Sequence, residues 1–385
     1  MAQSLDKITI KGFKSIRSLE DFELSNLNVL IGANGSGKSN FIDFFRMLRA
    51  MMDLPLPGLA IASLKTYIAD GGGSDDFLFN GPKETEQIEV VTRFGLNGYR
   101  FKLAPTSDAT FIINDEARYF TYGQSRWWEL GSGHSIPELL RDKDEPGATG
   151  RDGVGHHVYE AIASWKIYHF HDTSKMAPMR RYEVIEDNEY LRFDAANIAP
   201  FLYELKNPSW PPPSSLKKKK RNVYKQIVDT IRLVAPFFDD FILKPDKNEK
   251  VRLRWRQRGS DYPLKPHHLS DGTLRFICLT TALLQPELPS TIIIDEPELG
   301  LHPYAIEILA ELIQSTSQRT QLIVSTQSSA LVDYFEPENI IVVNRKKGAS
   351  VFQRLNKREL SFWLKDYSLG DLWRKNIVSG GPDHE

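Results

Sequence analysis

The 385-residue sequence predicts an α/β fold: a largely parallel sheet flanked by helices, an antiparallel subdomain beside it, and an inserted module. Three observations predict it. Residues 27–48 read as strand, glycine-rich loop and helix. Residues from about 266 onward alternate between helical and strand-like apolar patterns. Between 88 and 115 lie three short strand-like runs, the first two joined by Asn97-Gly98, a strong hairpin signal.

The first of these carries the most chemistry. Leu27 to Ile31 is a short apolar run, and Phe41, Phe44, Phe45 and Leu48 follow at i, i+3, i+4 and i+7, one face of a helix. Between them, Gly32-Ala33-Asn34-Gly35-Ser36-Gly37-Lys38-Ser39 matches G-x-x-x-x-G-K-[ST], a phosphate-binding loop. Glycines let successive N–H groups point at phosphate oxygens, and the helix start adds partial positive charge. Lys38 is placed to reach the β- and γ-phosphates and Ser39 to ligate Mg²⁺. The plain alternative is a glycine-rich turn before a helix. The flanking strand and helix favour a nucleotide site.

The second motif is Thr291-Ile292-Ile293-Ile294-Asp295-Glu296. An apolar run without polar alternation suits a central parallel strand covered on both faces. Carboxylates at its end lie where open α/β sheets bind ligands. Asp295 is placed to hold Mg²⁺ through water, and Glu296 to accept a proton from an attacking water. Alone, the run could end in a solvated acidic turn with Glu296 and Glu298. Beside a phosphate loop, it points to hydrolysis.

Composition bounds the rest. Net charge is −1, so no global field draws the chain to nucleic acid or membrane. The single cysteine, Cys278, excludes an internal disulfide and reads as a buried small hydrophobe in a reducing compartment. The start lacks a basic-then-apolar leader, and no stretch of about eighteen apolar residues is present. These readings predict a cytoplasmic protein.

Along the chain, Lys7 to Ile10 alternates as a strand, and Gly12-Phe13-Lys14-Ser15 breaks it. Residues 116–265 are irregular and rich in Trp, Tyr, Pro and charge. Pro211-Pro212-Pro213 reads as a stiff break before a basic helix start at Lys217 to Arg221. There are no sustained heptads and no repeats. The regular pattern returns with helix-like 273–285, strand 291–295, helix-like 303–317 and strands 321–325 and 340–343. The two nucleotide motifs lie more than 250 residues apart, so the nucleotide domain is discontinuous. We divide the chain into 1–115, 116–265 (insertion or lid) and 266–385. Leu269-Ser270-Asp271-Gly272-Thr273 opens a helix, with Ser270 or Asp271 as N-cap. The same exposed N–H groups could serve an anion held by another subunit.

These motifs together resemble the ABC-type ATPases of the structural-maintenance-of-chromosomes and RecF group. More narrowly, the chain is similar to bacterial AAA family ATPases found alone or in phage-defence operons. The resemblance rests on Leu5 to Ser15, on Ile31 to Asn40 with Asn34 and Asn40, on Leu269 to Thr273, on Ile294 to Pro303 and on Ser325-Thr326-Gln327-Ser328. His169 to Ser174 and Tyr367 to Trp373 add the subfamily. It implies a phosphate-loop NTPase head with an antiparallel β subdomain and a mixed, largely helical lid. It also implies a head-to-tail dimer binding ATP and Mg²⁺, with Ser270 and Gly272 meeting the γ-phosphate of the partner copy. Asn34, Gly35, Ser36, Gly37, Lys38, Ser39 and Asn40 would hold the nucleotide, and Ser39 and Asp295 the metal. Glu296, Lys38 and Gln327 would act in catalysis. Losing one donor to the transferring phosphoryl group costs about 3 kcal/mol. Two positions depart from the group's pattern: Asp271 stands where glycine is common, and Gln327 replaces a histidine at the switch position. Gln87 is the candidate for the glutamine that links Mg²⁺ to the lid.

Weaker signals carry two readings each. His169, His171 and Asp172 suggest a metal site, but further ligands are not evident, and packing or hydrogen bonding is the favoured reading. His156-His157 and His267-His268 are expected to point apart. Lys217 to Arg221 with Lys225, and Arg252 to Arg258 around Trp255, form basic clusters that suit either a solvated face or a phosphate backbone. The leading functional expectation is an ATPase whose closure controls an effector from a neighbouring gene, in phage defence or genome maintenance. The forty or so residues after 345 are too few for an appended nuclease. A RecF-like DNA-engaging ATPase is the alternative, and a transporter subunit the third.

Overall fold

The computed structural model describes residues 3–53, 64–122, 124–147, 152–208 and 214–378. The prolines at 211–213 lie outside these residues.

Two six-stranded sheets organise the molecule. The chain opens with β1 (Lys7–Phe13) and β2 (Ile16–Glu23), then β3 (Leu27–Ile31), all five of whose residues are buried. α1 (Lys38–Met51) follows the glycine loop, burying Phe41, Phe44, Phe45 and Leu48 as their spacing predicts. After a short helix α2 (Leu64–Asp70) come β4 (Ile88–Phe94), β5 (Asn97–Pro105), β6 (Phe111–Tyr122) and β7 (Gln124–Gly131). They form an antiparallel sheet in the order β2-β1-β4-β5-β6-β7. The hairpin forms, but its turn is Gly95-Leu96: the Asn97-Gly98 pair, expected to make the turn, instead opens β5, with Phe94 facing Asn97.

This sheet does not stop at residue 115. β6 runs straight through that position, burying Phe111, Ile113 and Ala117, and β7 extends the sheet further by pairing with β6 at its edge. Two short helices follow, α3 (Leu139–Asp142) and α4 (Val154–Ala163). The next strand, β8 (Lys166–Tyr168), joins the other sheet at its edge. Both segments fall inside residues 116–265, so part of that stretch builds the sheets themselves.

The rest of that stretch is mixed. It holds β9 (Glu183–Val184), α5 (Ile198–Lys206), α6 (Ser214–Val234), β10 (Phe238–Ile242), β11 (Lys250–Val251), β12 (Arg254–Gln257) and β13 (Pro263–Leu264). α6 begins with the basic run, on the helix start that the sequence predicts.

The second sheet has the order β17-β16-β3-β15-β14-β8. α7 (Asp271–Leu284) precedes β14 (Thr291–Asp295), α8 (Pro303–Ser317) precedes β15 (Gln321–Ser325), and the short α9 (Ser329–Val332) precedes β16 (Ile340–Lys346) and β17 (Ala349–Arg354). α10 (Lys357–Leu360) and α11 (Leu369–Arg374) close the described chain, α11 against α9. β3, β14, β15, β16 and β8 are parallel, and only β17 runs against its neighbour. A parallel arrangement brings every strand's carboxyl end to one edge, and that edge carries both sequence motifs.

Candidate active site

The register of the parallel sheet brings the two motifs together. Ser325 of β15 stands opposite Leu30 of β3 on one side and Asp295 of β14 on the other. Neighbouring strands lie about 4.8 Å apart, so the phosphate loop and the acidic strand end are separated by about two strand spacings. More than 250 residues of sequence separate the same groups.

Lys38 folds back onto the loop that carries it. It is 5% exposed, and its ammonium donates to Gly32 O at 2.6 Å and Ala33 O at 3.1 Å. Burial pulls its pKa below the ordinary lysine value. The charges of Glu296, then Asp295, then Glu298, act in the opposite direction. Lys38 thus sits in the field of all three carboxylates.

The loop leaves backbone donors uncovered at the start of α1. Gly37 caps α1 at φ 112° with no side-chain cap bond, so the free N–H groups of the first helical turn are not covered. A Cβ at Gly37 would lie 2.0 Å from Ser350 Oγ, so only glycine fits. Gly35 has φ 78° with open space around it, and glycine serves there for its backbone alone. Asn34, Gly35 and Ser39 are exposed. Ser36 is buried and its Oγ has no partner among the described residues. Ser325 Oγ and Glu298 Oε2 are buried in the same condition. Open helix N–H groups, an ammonium, orphaned hydroxyls and two half-buried carboxylates are the donor set that a magnesium nucleoside triphosphate requires. The residues present fit that group.

A hydroxyl chain braces the loop. Asn40 donates to Ser15 Oγ at 2.7 Å, Ser15 and Ser350 share a 2.7 Å bond, and Ser350 donates to Ser36 O at 2.6 Å. Asn40 thereby acts on the β1–β2 turn, and Ser350 ties the β16–β17 hairpin to the loop. Arg345 of that hairpin reaches Gly35 O at 3.4 Å.

On the acidic side, Glu296 adopts φ 43°, an uncommon left-handed conformation for a non-glycine residue. Its carboxylate accepts a bond from the Gln327 side-chain amide. Glu298 accepts from Thr326 Oγ1 at 2.6 Å and from Gln327 N at 3.0 Å. Burial raises the Glu298 pKa above the ordinary carboxylate value, and those two donors partly oppose the rise.

Ser270 and Gly272 lie elsewhere. Ser270 caps α7, accepting from Thr273 N at 3.1 Å. Asp271 pairs with the buried Arg180 at 2.8 Å. A Cβ at Gly272 would meet Gly300 O at 2.3 Å, so glycine is needed there for close packing on the turn after Glu298. Gln87 donates to Glu89 at 2.9 Å on the antiparallel sheet.

Two residues carry more of the site than their sequence context suggests. Arg275 is 5% exposed within α7 and donates to Phe170 O at 2.9 Å, to His171 O at 3.1 Å and to Leu299 O. Burial lowers its pKa. A lone arginine inside an otherwise apolar helix is the signal that could have found it. His171 donates from Nε2 to Asp295 O at 3.0 Å, and its ring lies 4.1 Å from that of His169. β8 ends at Tyr168, so both histidines follow the strand instead of lying on it. Among the described residues there is no group of three or more metal-ligating side chains. His156 and His157, expected to point apart, have ring centroids 5.7 Å apart. Cys278 is buried, which pushes its thiol pKa up, and it sits 3.6 Å from the Met179 sulfur.

The basic clusters differ from each other. Arg252 donates to Arg180 O, Arg254 to Tyr182, and Arg256 pairs with Asp239. Lys218, Lys219, Arg221 and Lys225 of α6 are exposed. Among the described residues, no helix is long and apolar enough to cross a membrane.

Comparison with known proteins gives the fold and the family. The fold is similar to the SMC head bound to the C-winged helix domain of ScpA, at a TM-score of 0.52 and 17% identity, over 92% of this chain and 99% of that one. It is also similar to a Pyrococcus furiosus SMC head domain with an extended coiled coil bound to the C-terminal domain of ScpA. There the TM-score is 0.50 and the identity 17%, over 94% and 99% of the two chains. No curated protein matches the chain in sequence. A sequence match covering residues 27–333 identifies the chain as a member of the family described as "AAA domain, putative AbiEii toxin, Type IV TA system", and its fold is that of ABC-type, SMC-like ATPase heads.

Proposed function

We propose that this protein hydrolyses ATP at a Mg²⁺-dependent site completed by a second copy, and that closure of the pair controls a partner effector. The observation that carries the reading is the placement of the Lys38 ammonium in the field of Glu296, Asp295 and Glu298, with Leu30 and Asp295 flanking Ser325. In this reading the loop N–H groups and Lys38 hold the phosphates. Ser39 and Asp295 hold Mg²⁺. Glu296 accepts the proton of the attacking water, and Gln327 orients Glu296.

Completion by a second copy is supported by the exposed start of α7. Ser270 and Asp271 face solvent, while the helix behind them is buried and braced by Arg180 and Arg275. Ser270 and Gly272 of one copy would then meet the γ-phosphate held by the other. Control of an effector is supported by the family description and by the ScpA domains bound to the SMC heads. The family resemblance supports a role in phage defence.

Replacing the proton acceptor tests the reading. E296Q should retain ATP and lower kcat by roughly 10²–10⁴-fold. Light scattering should show its mass doubling in ATP and Mg²⁺. A monomer under those conditions would rule out the shared site, and unchanged turnover would rule out Glu296 as base.

A DNA-engaging ATPase is the second reading, favoured by the exposed cations of α6. Binding to duplex DNA that weakens steeply with salt, and is lost when Lys218, Lys219 and Arg221 become Glu, would support it. Salt-independent or absent binding rules it out.

A further inference from the structure

We propose that His171 is a positioning residue for catalysis: it fixes the peptide joining Asp295 to Glu296, and through that peptide aims both carboxylates. The inference rests on the hydrolytic reading of the site.

The geometry is specific to that one peptide. Its N–H, from Glu296, donates to Ser325 O at 2.8 Å on the β15 side. The carbonyl of a trans peptide points away from its N–H, so Asp295 O faces the opposite neighbour, β8. That strand cannot supply a partner. Its ladder with β14 ends at Ile294 opposite Tyr168. The His171 ring takes the place of the missing strand, with Nε2 3.0 Å from Asp295 O. A carbonyl only accepts, so Nε2 carries the proton. The peptide is therefore gripped at both ends.

The grip holds an uncommon backbone in place. Glu296 leaves this peptide at φ 43°. A non-glycine residue held in that region costs about 1–3 kcal/mol and persists only where its surroundings over-determine it. Release of Asp295 O would let the peptide rotate toward an ordinary φ and turn both side chains away from Lys38.

The ring is itself held in place. It lies tilted against the His169 ring, with centroids 4.1 Å apart and 44° between the planes. The His171 carbonyl accepts from Arg275 Nη2 at 3.1 Å, and the His169 N–H donates to Phe193 O at 2.9 Å. Arg275 belongs to α7, whose first residues carry the candidate contact to a partner copy. His171 thus touches the acidic strand end through its ring and α7 through its backbone.

H171F keeps a flat ring and loses the donor. H171Q restores an N–H at a comparable distance on a flexible chain. Three readouts separate positioning from folding: kcat, the Mg²⁺ concentration for half-maximal rate, and affinity for a fluorescent ATP analogue measured in EDTA and in Mg²⁺. We expect H171F to lower kcat by roughly tenfold, the effect of about 1.4 kcal/mol. It should raise the Mg²⁺ requirement and leave affinity in EDTA within roughly twofold of wild type, because the phosphate loop is untouched. H171Q should recover most of both losses. Wild-type kcat and Mg²⁺ dependence in H171F would overturn the proposal. So would an H171Q protein as deficient as H171F with an equal loss of thermal stability, since the ring would then be packing only. A wild-type protein that binds ATP without hydrolysing it would sink the hydrolytic reading instead. The Mg²⁺-dependent part of analogue affinity would still decide on His171, which predicts a smaller Mg²⁺ effect in H171F and is overturned by an equal one.

Discussion

The side-chain amide of Gln327 donates to the carboxylate of Glu296 across the ends of two adjacent parallel strands. Glu296 directly follows β14 and Gln327 lies just beyond β15, and the register that pairs Asp295 with Ser325 places them side by side. An amide in this position orients the carboxylate and cannot take its proton. Q327A should therefore lower kcat by roughly tenfold or more while leaving ATP affinity close to wild type. Q327E should be worse, because it sets a second negative charge against Glu296. Steady-state kinetics with both variants checks the order, and Q327E matching or exceeding Q327A would remove the orienting role.

Gly37 has no room for a side chain. Its φ of 112° and the 2.0 Å approach of a Cβ to Ser350 Oγ make alanine a double fault. G37A should lose ATP binding and destabilise the fold by about 1–3 kcal/mol. Urea unfolding and nucleotide titration measure the two effects. S350A should spare the second and weaken the brace on Ser36. G37A with normal affinity would mean that the loop adapts to a side chain.

Glu298 makes stability depend on pH. Its carboxyl is held above the ordinary value of 4.5, first by burial. The folded state therefore binds this proton more tightly than the unfolded state. The stabilisation is fully present below 4.5 and is lost as pH rises through the elevated folded value. E298Q keeps a carbonyl oxygen for Thr326 and Gln327 and removes the charge. Its Tm should exceed that of wild type by a margin that grows as pH climbs from 4.5 toward neutrality. Parallel Tm curves would show that the burial of Glu298 carries no such cost.

Arg275 satisfies the carbonyls of Phe170, His171 and Leu299 from inside α7. R275M fills similar volume and leaves those three acceptors unpaired. Each buried unsatisfied group costs about 1–3 kcal/mol. Loss of stability in that range, together with a lower kcat, is expected from denaturant unfolding and turnover assays. A neutral effect on stability would show that water replaces the guanidinium.

Much of the framework around the candidate site was legible from residue types and spacing. The phosphate loop, the strand Thr291–Asp295, the helix Pro303–Ser317 and the strand Gln321–Ser325 fall where the patterns place them. Local preferences decide these elements: glycine at positive φ, apolar runs in covered strands, a 3.6-residue apolar stripe in helices. His169 and His171 were visible as a pair but not as a partner of Asp295. Their meaning depends on β8 lying beside β14 and stopping one residue short. Likewise, the strand-like run from Phe111 to Asn114 continues to Tyr122 as part of a longer sheet. Its outer half is polar and aromatic, and only pairing with β5 and β7 makes it a strand.

The sequence by itself determined which groups could hold a nucleotide: a lysine after a glycine turn, and two acids after a buried strand. Those choices are written in short windows, where backbone sterics and burial act. Tertiary structure alone decided which strand separates the two motifs, which histidine closes the open carbonyl of Asp295, and which buried arginine joins three loops. Those relations form when β3, β15, β14 and β8 align edge to edge, and hydrogen bonds between strands are indifferent to the number of residues that separate them in the chain.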